Sequence, residues 1–134
     1  MSQSQPVVKY LKDYRPCDFC VDSVHLHFDL HEDETIVKTI LHLRRNPEAN
    51  TPNAELVLNG QDMKLRNISL DGKALATDKY KVDEEFLTVM QVPEQFTLET
   101  EVLIKPQENT ALMGLYKSGG NFCTQCEAQG FRHI

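Results

Sequence analysis

The feature that most constrains the fold is a run of strict two-residue alternation near the start of the chain. Between positions 24 and 31, apolar side chains occupy the even positions and polar side chains the odd ones. The apolar set is Val24, Leu26, Phe28 and Leu30, and the polar set is His25, His27, Asp29 and His31. Because successive side chains of an extended strand point to opposite faces, this pattern predicts a half-buried β-strand over 19–31.

The segments that follow carry the same kind of signal. An acidic turn at 32–34 leads into a β-branched run over 35–44, so these two strands are expected to pair as an antiparallel hairpin. Asp71-Gly72 is the strongest turn signal, and 73–76 is its predicted return arm. Further strands are predicted at 55–59, at 63–70 with the broken alternation of a bulge, and at 80–82, 85–91 and 96–105.

No stretch has a convincing helical period, and strands do not alternate with helices along the chain. The predicted fold class is therefore all-β, an antiparallel β-sandwich or saddle. Residues 1–18 are polar and lack periodicity, which predicts an extended lead-in. Residues 19–134 are predicted to form a single antiparallel β domain, because the chain length suits one domain with one core. Residues 109–120 are expected to be a loop.

Net charge, hydropathy and the N-terminal residues argue against nucleic-acid binding, a membrane span and secretion. The formal net charge is −6 and the basic residues are scattered, which argues against nucleic-acid binding. No run of about 18 apolar residues is present, so we expect no membrane span. The N-terminus lacks the apolar segment and cleavage site of a secretory signal, so we expect a cytoplasmic protein.

Four cysteines form two Cys-x-x-Cys pairs, Cys17/Cys20 and Cys123/Cys126. Two such pairs are the elements of a four-thiolate zinc site. However, about 100 residues separate them, against roughly 15–20 in the usual spacing. Free thiols are the favoured interpretation in a reducing compartment. A structural zinc and a redox pair remain the alternatives.

Two histidine patterns invite a metal-binding interpretation. His25 and His27 point to one side, yet the polar row continues beyond them, which is typical of the solvated face of an amphipathic strand. The sequence starting at His31-Glu32 resembles a zinc-binding H-E-x-x-H, but position 35 is Thr and the segment is a predicted turn. No nucleophile elbow or phosphate-binding loop is present. We therefore predict no catalytic residue and no metal ligand in this chain.

The final stretch, 121–134, carries a different pattern. Gln125 and Glu127 lie two residues apart, so an extended backbone would point both side chains to the same side. An amide and a carboxylate aimed at one target suit a cation such as an ammonium group. From the residues alone, a polar edge strand that pairs with the body of the domain is the favoured interpretation.

The stretch Thr124-Gln125-Cys126-Glu127-Ala128, followed by Arg132, resembles the T-Q-x-E-x…R stretch of the aminopeptidase N family of zinc aminopeptidases. The combination is similar to the bacterial cytosolic branch of that family and runs in order over nearly the whole chain. Supporting stretches are LNGQDMKL at 58–65, NTALMGLYKSG at 109–119 and Tyr14-Arg15-Pro16.

The resemblance implies that this chain is the N-terminal domain of a longer zinc-dependent, broad-specificity aminopeptidase of the gluzincin type. In that family the domain is an all-β saddle that covers the catalytic domain. The matching residues, Gln125 and Glu127, would help to bind the free α-ammonium of the peptide substrate, and Arg132 would be structural. The zinc ligands and catalytic residues would lie outside this chain, which would have no zinc and no peptidase activity of its own.

The expected partners are thus the N-terminus of a peptide and the catalytic domain of the same polypeptide, in a full-length protein that is a monomer. The alternative function is a non-catalytic β-sandwich interaction module, unrelated to peptidases, whose exposed strands contact other proteins. A reading frame that continues past Ile134 into H-E-x-x-H would distinguish the first function from the second.

Overall fold

The structure is a computed structural model that describes residue 8 and residues 10–127. Its strands are β1 (Phe19–Leu30), β2 (Thr35–Arg45), β3 (Leu56–Asn59), β4 (Lys64–Leu70), β5 (Lys73–Ala74), β6 (Tyr80–Val82), β7 (Phe86–Val89), β8 (Gln95–Ile104), β9 (Gly114–Ser118) and β10 (Asn121–Gln125). Short 3₁₀-helices occur at Leu11–Asp13, Pro47–Ala49 and Pro106–Glu108. Over the described residues, no helix is both long enough and apolar enough to cross a membrane.

The strands form three antiparallel sheets. The largest has five strands in the order β1-β2-β8-β4-β5, the second has the order β3-β7-β6, and the third is the pair β9-β10. The predicted all-β antiparallel class is confirmed. The predicted first hairpin is also confirmed, with Leu30 opposite Thr35 next to the turn. His31 lies just beyond the strand, and its backbone N–H donates to the carbonyl of Glu34 at 3.1 Å.

The second hairpin and the bulge were also predicted correctly. Ser69 and Leu70 of β4 pair with Ala74 and Lys73 of β5 across the Asp71-Gly72 turn. The register of β4 against β8 shifts between positions 65 and 67, which is the irregularity that the broken alternation indicated. The return arm is shorter than predicted, because only Lys73 and Ala74 are paired.

The core lies between the five-stranded and three-stranded sheets. Directly opposite residues of antiparallel strands share a face, so the pairing of Leu43 with Phe96 and of Leu41 with Leu98 builds one apolar surface. The pairing of Leu56 with Val89 builds the facing surface on the smaller sheet. The buried members of this core are Leu43, Leu56, Ile68, Val89, Phe96 and Leu98.

The prediction that β1 is half-buried is wrong for most of the strand. The four apolar side chains that alternate along it are exposed: Val24, Leu26, Phe28 and Leu30. Alternation gives a strand an apolar face, but the second sheet decides whether that face is covered. Here the second sheet packs on the residues of β2, β4 and β8 instead.

Arg45, at the end of β2, joins the core to two loops. One guanidinium nitrogen donates to the carbonyls of Ala54 at 2.9 Å and Thr51 at 3.4 Å, and the other donates to the carbonyl of Val92 at 2.9 Å. The guanidinium also lies 5.2 Å from the centre of the Phe19 ring, within range of a cation–π contact. One side chain therefore holds both the loop that precedes β3 and the loop that follows β7.

We expect Arg45→Met to lower the free energy of unfolding by about 2 kcal/mol or more, because several partly buried carbonyls lose a charged donor. Arg44→Met is the matched control. Its guanidinium pairs with Asp22 at 3.0 Å at an exposed position, so its loss should cost less than about 1 kcal/mol. Urea denaturation of both variants measures the difference, and equal losses would contradict the structural role of Arg45.

Candidate functional site

The predicted site residues lie at the end of the β9–β10 hairpin. Ser118 pairs with Asn121, and Gly119 and Gly120 form the two-residue connection with φ values of 57° and 83°. Two positive φ angles in such a loop fit the twist of antiparallel strands, and glycine adopts them without a steric penalty. The prediction that 109–120 is a loop is therefore wrong for 114–118. The Gly-Gly pair between two short runs was the signal that identifies this hairpin.

Gln125 is the last residue of β10, and its side chain is exposed. Its partner across the hairpin is Gly114, which has no side chain to lie over it. Glu127 is also exposed, but it lies in a turn beyond the end of the strand. The pairing of β10 with β9 therefore fixes the position of Gln125. Glu127 lies beyond the extended backbone, so the two-residue alternation of side chains does not extend to it. Arg132 and Ala128 lie outside the described residues.

The hairpin is held against the turn between β1 and β2. The ammonium of Lys117 forms an ion pair and hydrogen bond with the carboxylate of Glu32, and the Gln107 amide donates to the carbonyl of Asp33. Lys117 also lies 5.3 Å from the centre of the Phe122 ring, its cross-strand neighbour. The hydrogen bond from Lys117, with its positive charge, lowers the pKa of Glu32.

The loop before the hairpin is ordered by a side-chain amide. Asn109 Nδ2 donates to the carbonyl of Met113 at 2.7 Å and to that of Leu115 at 2.9 Å. These contacts close the segment between the 3₁₀-helix at Pro106–Glu108 and β9. The first strand of the hairpin thus begins at a fixed point on the domain.

The histidines and cysteines do not assemble into a metal centre within the described part of the chain, where no three His, Cys, Asp or Glu side chains are placed to share an ion. The His25 ring packs edge-on against His42, with the ring centres 6.1 Å apart, and His42 Nδ1 lies 3.1 Å from Thr97 Oγ1. The segment starting at His31-Glu32 is a turn, as predicted. The four thiols are free.

Comparison with known proteins relates the whole chain to one kind of enzyme. No protein-family model matches it. The chain is 50% identical over all 134 residues to aminopeptidase N of Caulobacter vibrioides. It spans about 15% of the length of that curated relative.

Solved structures agree with this relationship. Aminopeptidase A of Legionella pneumophila superposes with a TM-score of 0.84 at 30% identity, covering 93% of this chain and 15% of that one. An M1 zinc metallopeptidase from Deinococcus radiodurans has a TM-score of 0.63 at 15% identity, over 87% of this chain and 30% of that one, and shares the fold. The resemblance to the N-terminal domain of bacterial aminopeptidase N is confirmed.

Acid should loosen the hairpin from the β1–β2 turn. The pKa of Glu32 is lower in the folded chain because its carboxylate is paired with Lys117. The stabilisation that this ion pair gives is therefore complete above the ordinary pKa of a glutamate, and it is lost as the pH falls through the lowered pKa. We expect amide protection over 114–125, corrected for the intrinsic rate of exchange, to fall in this acidic range. Glu32→Gln should give lower protection that does not depend on pH there.

The control for this experiment is Glu34→Gln. Glu34 lies in the same turn, and the described part of the chain shows no ion pair for it. This variant should keep the pH dependence of the unchanged chain. A Glu32→Gln hairpin that still loses protection in acid would show that another group controls the contact.

Proposed function

We propose that this chain is the N-terminal domain of a zinc-dependent, broad-specificity aminopeptidase, in which Gln125 and Glu127 bind the free α-ammonium of the peptide substrate. The observation that carries the proposal is the 50% identity to an aminopeptidase N over the full 134 residues. The geometry adds support, since the exposed Gln125 ends β10, and the β9–β10 hairpin contacts the β1–β2 turn through Lys117 and Glu32.

The chemistry of the two side chains suits an ammonium ligand. A carboxylate accepts a charge-assisted hydrogen bond from the ammonium, and an amide oxygen accepts a second hydrogen bond from the same group. An acylated N-terminus has no positive charge, so it would leave the Glu127 carboxylate desolvated and unpaired. Leaving a buried charged group unpaired costs more than a neutral hydrogen bond contributes. Such a pair would make the enzyme act only at the free end of a peptide.

The rest of the longer protein would supply the zinc and its ligands, which activate water for peptide hydrolysis. The 134-residue chain would then bind no catalytic metal and would have no peptidase activity. It would be a domain that covers the active site of a cytoplasmic, monomeric enzyme. Turnover of an aminoacyl chromogenic substrate by the pure 134-residue chain would contradict this division of labour.

In the longer enzyme, Glu127→Ala should raise KM and lower kcat/KM for unblocked peptides by about tenfold or more, because a charge-assisted contact with the substrate is lost. Glu127→Gln keeps the size of the side chain and should show most of the same loss. Steady-state kinetics on free and N-acetylated forms of one peptide measure the effect. The preference for the free form should shrink in both variants.

The matched control is Glu99→Ala, which removes an exposed carboxylate from β8, away from the hairpin. Its kcat/KM should stay within about twofold of the unchanged enzyme, as expected for a surface charge with no substrate contact. If Glu127→Ala behaves like this control, Glu127 does not belong to the substrate site.

A further inference from the structure

The β9–β10 hairpin has one face that carries Gln125. Directly opposite residues of antiparallel strands share a face, and successive residues of one strand alternate between faces. Gln125 lies opposite Gly114, and Cys123 lies opposite Tyr116. These four residues are therefore on one side of the hairpin, which we call the Gln125 face.

The other face of the hairpin contacts the β1–β2 turn. Phe122 and Lys117 lie opposite each other on it, and the ammonium of Lys117 pairs there with the carboxylate of Glu32. Lys117 is also the one charged residue within the described hairpin, 114–125. The Gln125 face therefore bears no charged side chain, and it lies on the side opposite the contact that holds the hairpin.

Tyr116 is the neighbour of Gln125 across the hairpin on this face. Gly114, directly opposite Gln125, has no side chain, so the first side chain that β9 places on the face is that of Tyr116. Tyr116 is the diagonal neighbour of Gln125, at about 7–8 Å, a separation that an aromatic side chain spans. It is half-buried, so part of its side chain remains accessible beside the exposed Gln125.

A substrate bound through its ammonium at Gln125 must place its first side chain near these residues. The nitrogen and the Cβ of an amino acid are bonded to the same Cα, which sets them about 2.5 Å apart. With a hydrogen bond of about 2.9 Å from the ammonium to the Gln125 amide oxygen, that Cβ lies within about 5–6 Å of the oxygen. The first side chain is then within reach of the Tyr116 ring.

We propose that Tyr116 is a specificity-determining residue, whose ring contacts the side chain of the substrate's first residue. The inference rests on the proposed function, because it takes Gln125 to bind the substrate ammonium. A phenol ring gives apolar contact area to an aliphatic or aromatic side chain and attracts a cationic one through its π face. It gives an acidic side chain no counter-ion. Tyr116 therefore selects apolar and basic first residues against acidic ones.

Charged replacements of Tyr116 in the longer enzyme test the contact. The substrates are peptides that differ only in a first residue of glutamate, leucine or lysine. Tyr116→Lys should raise kcat/KM for the glutamate peptide relative to the leucine peptide by about fivefold or more, and Tyr116→Glu should do the same for the lysine peptide. A loss of folded enzyme lowers all three values alike, so it leaves these ratios unchanged.

The matched controls are Ser118→Lys and Ser118→Glu. Ser118 is exposed on the Gln125 face, next to the hairpin turn. It lies four residues from Gly114, about 14 Å along β9. That distance exceeds the Debye length of about 10 Å at 0.1 M salt, so both ratios should change by less than about twofold.

Tyr116→Ala and Tyr116→Phe keep the test decisive if the charged variants do not fold. Tyr116→Ala should lower kcat/KM for peptides that begin with phenylalanine or lysine, relative to one that begins with alanine, by about threefold or more, because the ring contact is lost. Tyr116→Phe keeps the ring and should keep these ratios.

Shifts of one sign in both charged variants, or shifts matched by the Ser118 controls, would overturn the inference. A Tyr116→Ala enzyme that loses the same factor on every peptide would also overturn it, since the residue would then only support the fold. A longer protein without aminopeptidase activity would reject the proposed function and this inference together. An active enzyme whose Glu127→Ala variant loses its preference for free peptides, and whose Tyr116 variants keep all ratios, would reject this inference alone.

Discussion

The antiparallel pairing of β2 with β8 is the interaction on which the other parts of the domain depend. It runs without a break from Thr35 opposite Ile104 to Arg44 opposite Gln95. A shift of one residue would turn every apolar side chain of β2 to the opposite face, so the core contact between Leu43 and Phe96 requires this register. β1 is added on one side of the pair and β4 on the other.

The two ends of β2 position different features. At its C-terminal end, Arg45 donates to the carbonyls of two loops and makes a cation–π contact with Phe19. At its N-terminal end, the turn that precedes Thr35 presents Glu32 to Lys117 of the β9–β10 hairpin. The candidate site is therefore placed by the same strand that organises the core, although no site residue lies in that strand.

Sequence patterns predicted the elements whose evidence is local. The hairpin of β1 with β2, the Asp71-Gly72 turn and the bulge in β4 all follow from side-chain alternation or turn residues within a few positions. β9 was missed because Leu115 and Tyr116 are adjacent and give no two-residue period. The ion pair between Lys117 and Glu32 joins residues 85 positions apart, and no local pattern reports a contact at that distance.

Similarly, alternation showed that β1 has an apolar face but not that the second sheet fails to reach it. The position of Glu127 depends on a turn after β10, and the extended backbone assumed from the sequence ends at Gln125.

The contact between Lys117 and Glu32 has a consequence for the order of folding. The β9–β10 hairpin closes locally and rapidly, but its docking requires a turn formed by residues near the start of the chain. Long separations of this kind raise contact order and delay the steps that depend on them. On a ribosome, the β1–β2 turn emerges long before its partner, so the hairpin meets a sheet that is already paired. We therefore expect the segment that carries the candidate site to dock after the β1–β2 hairpin has formed.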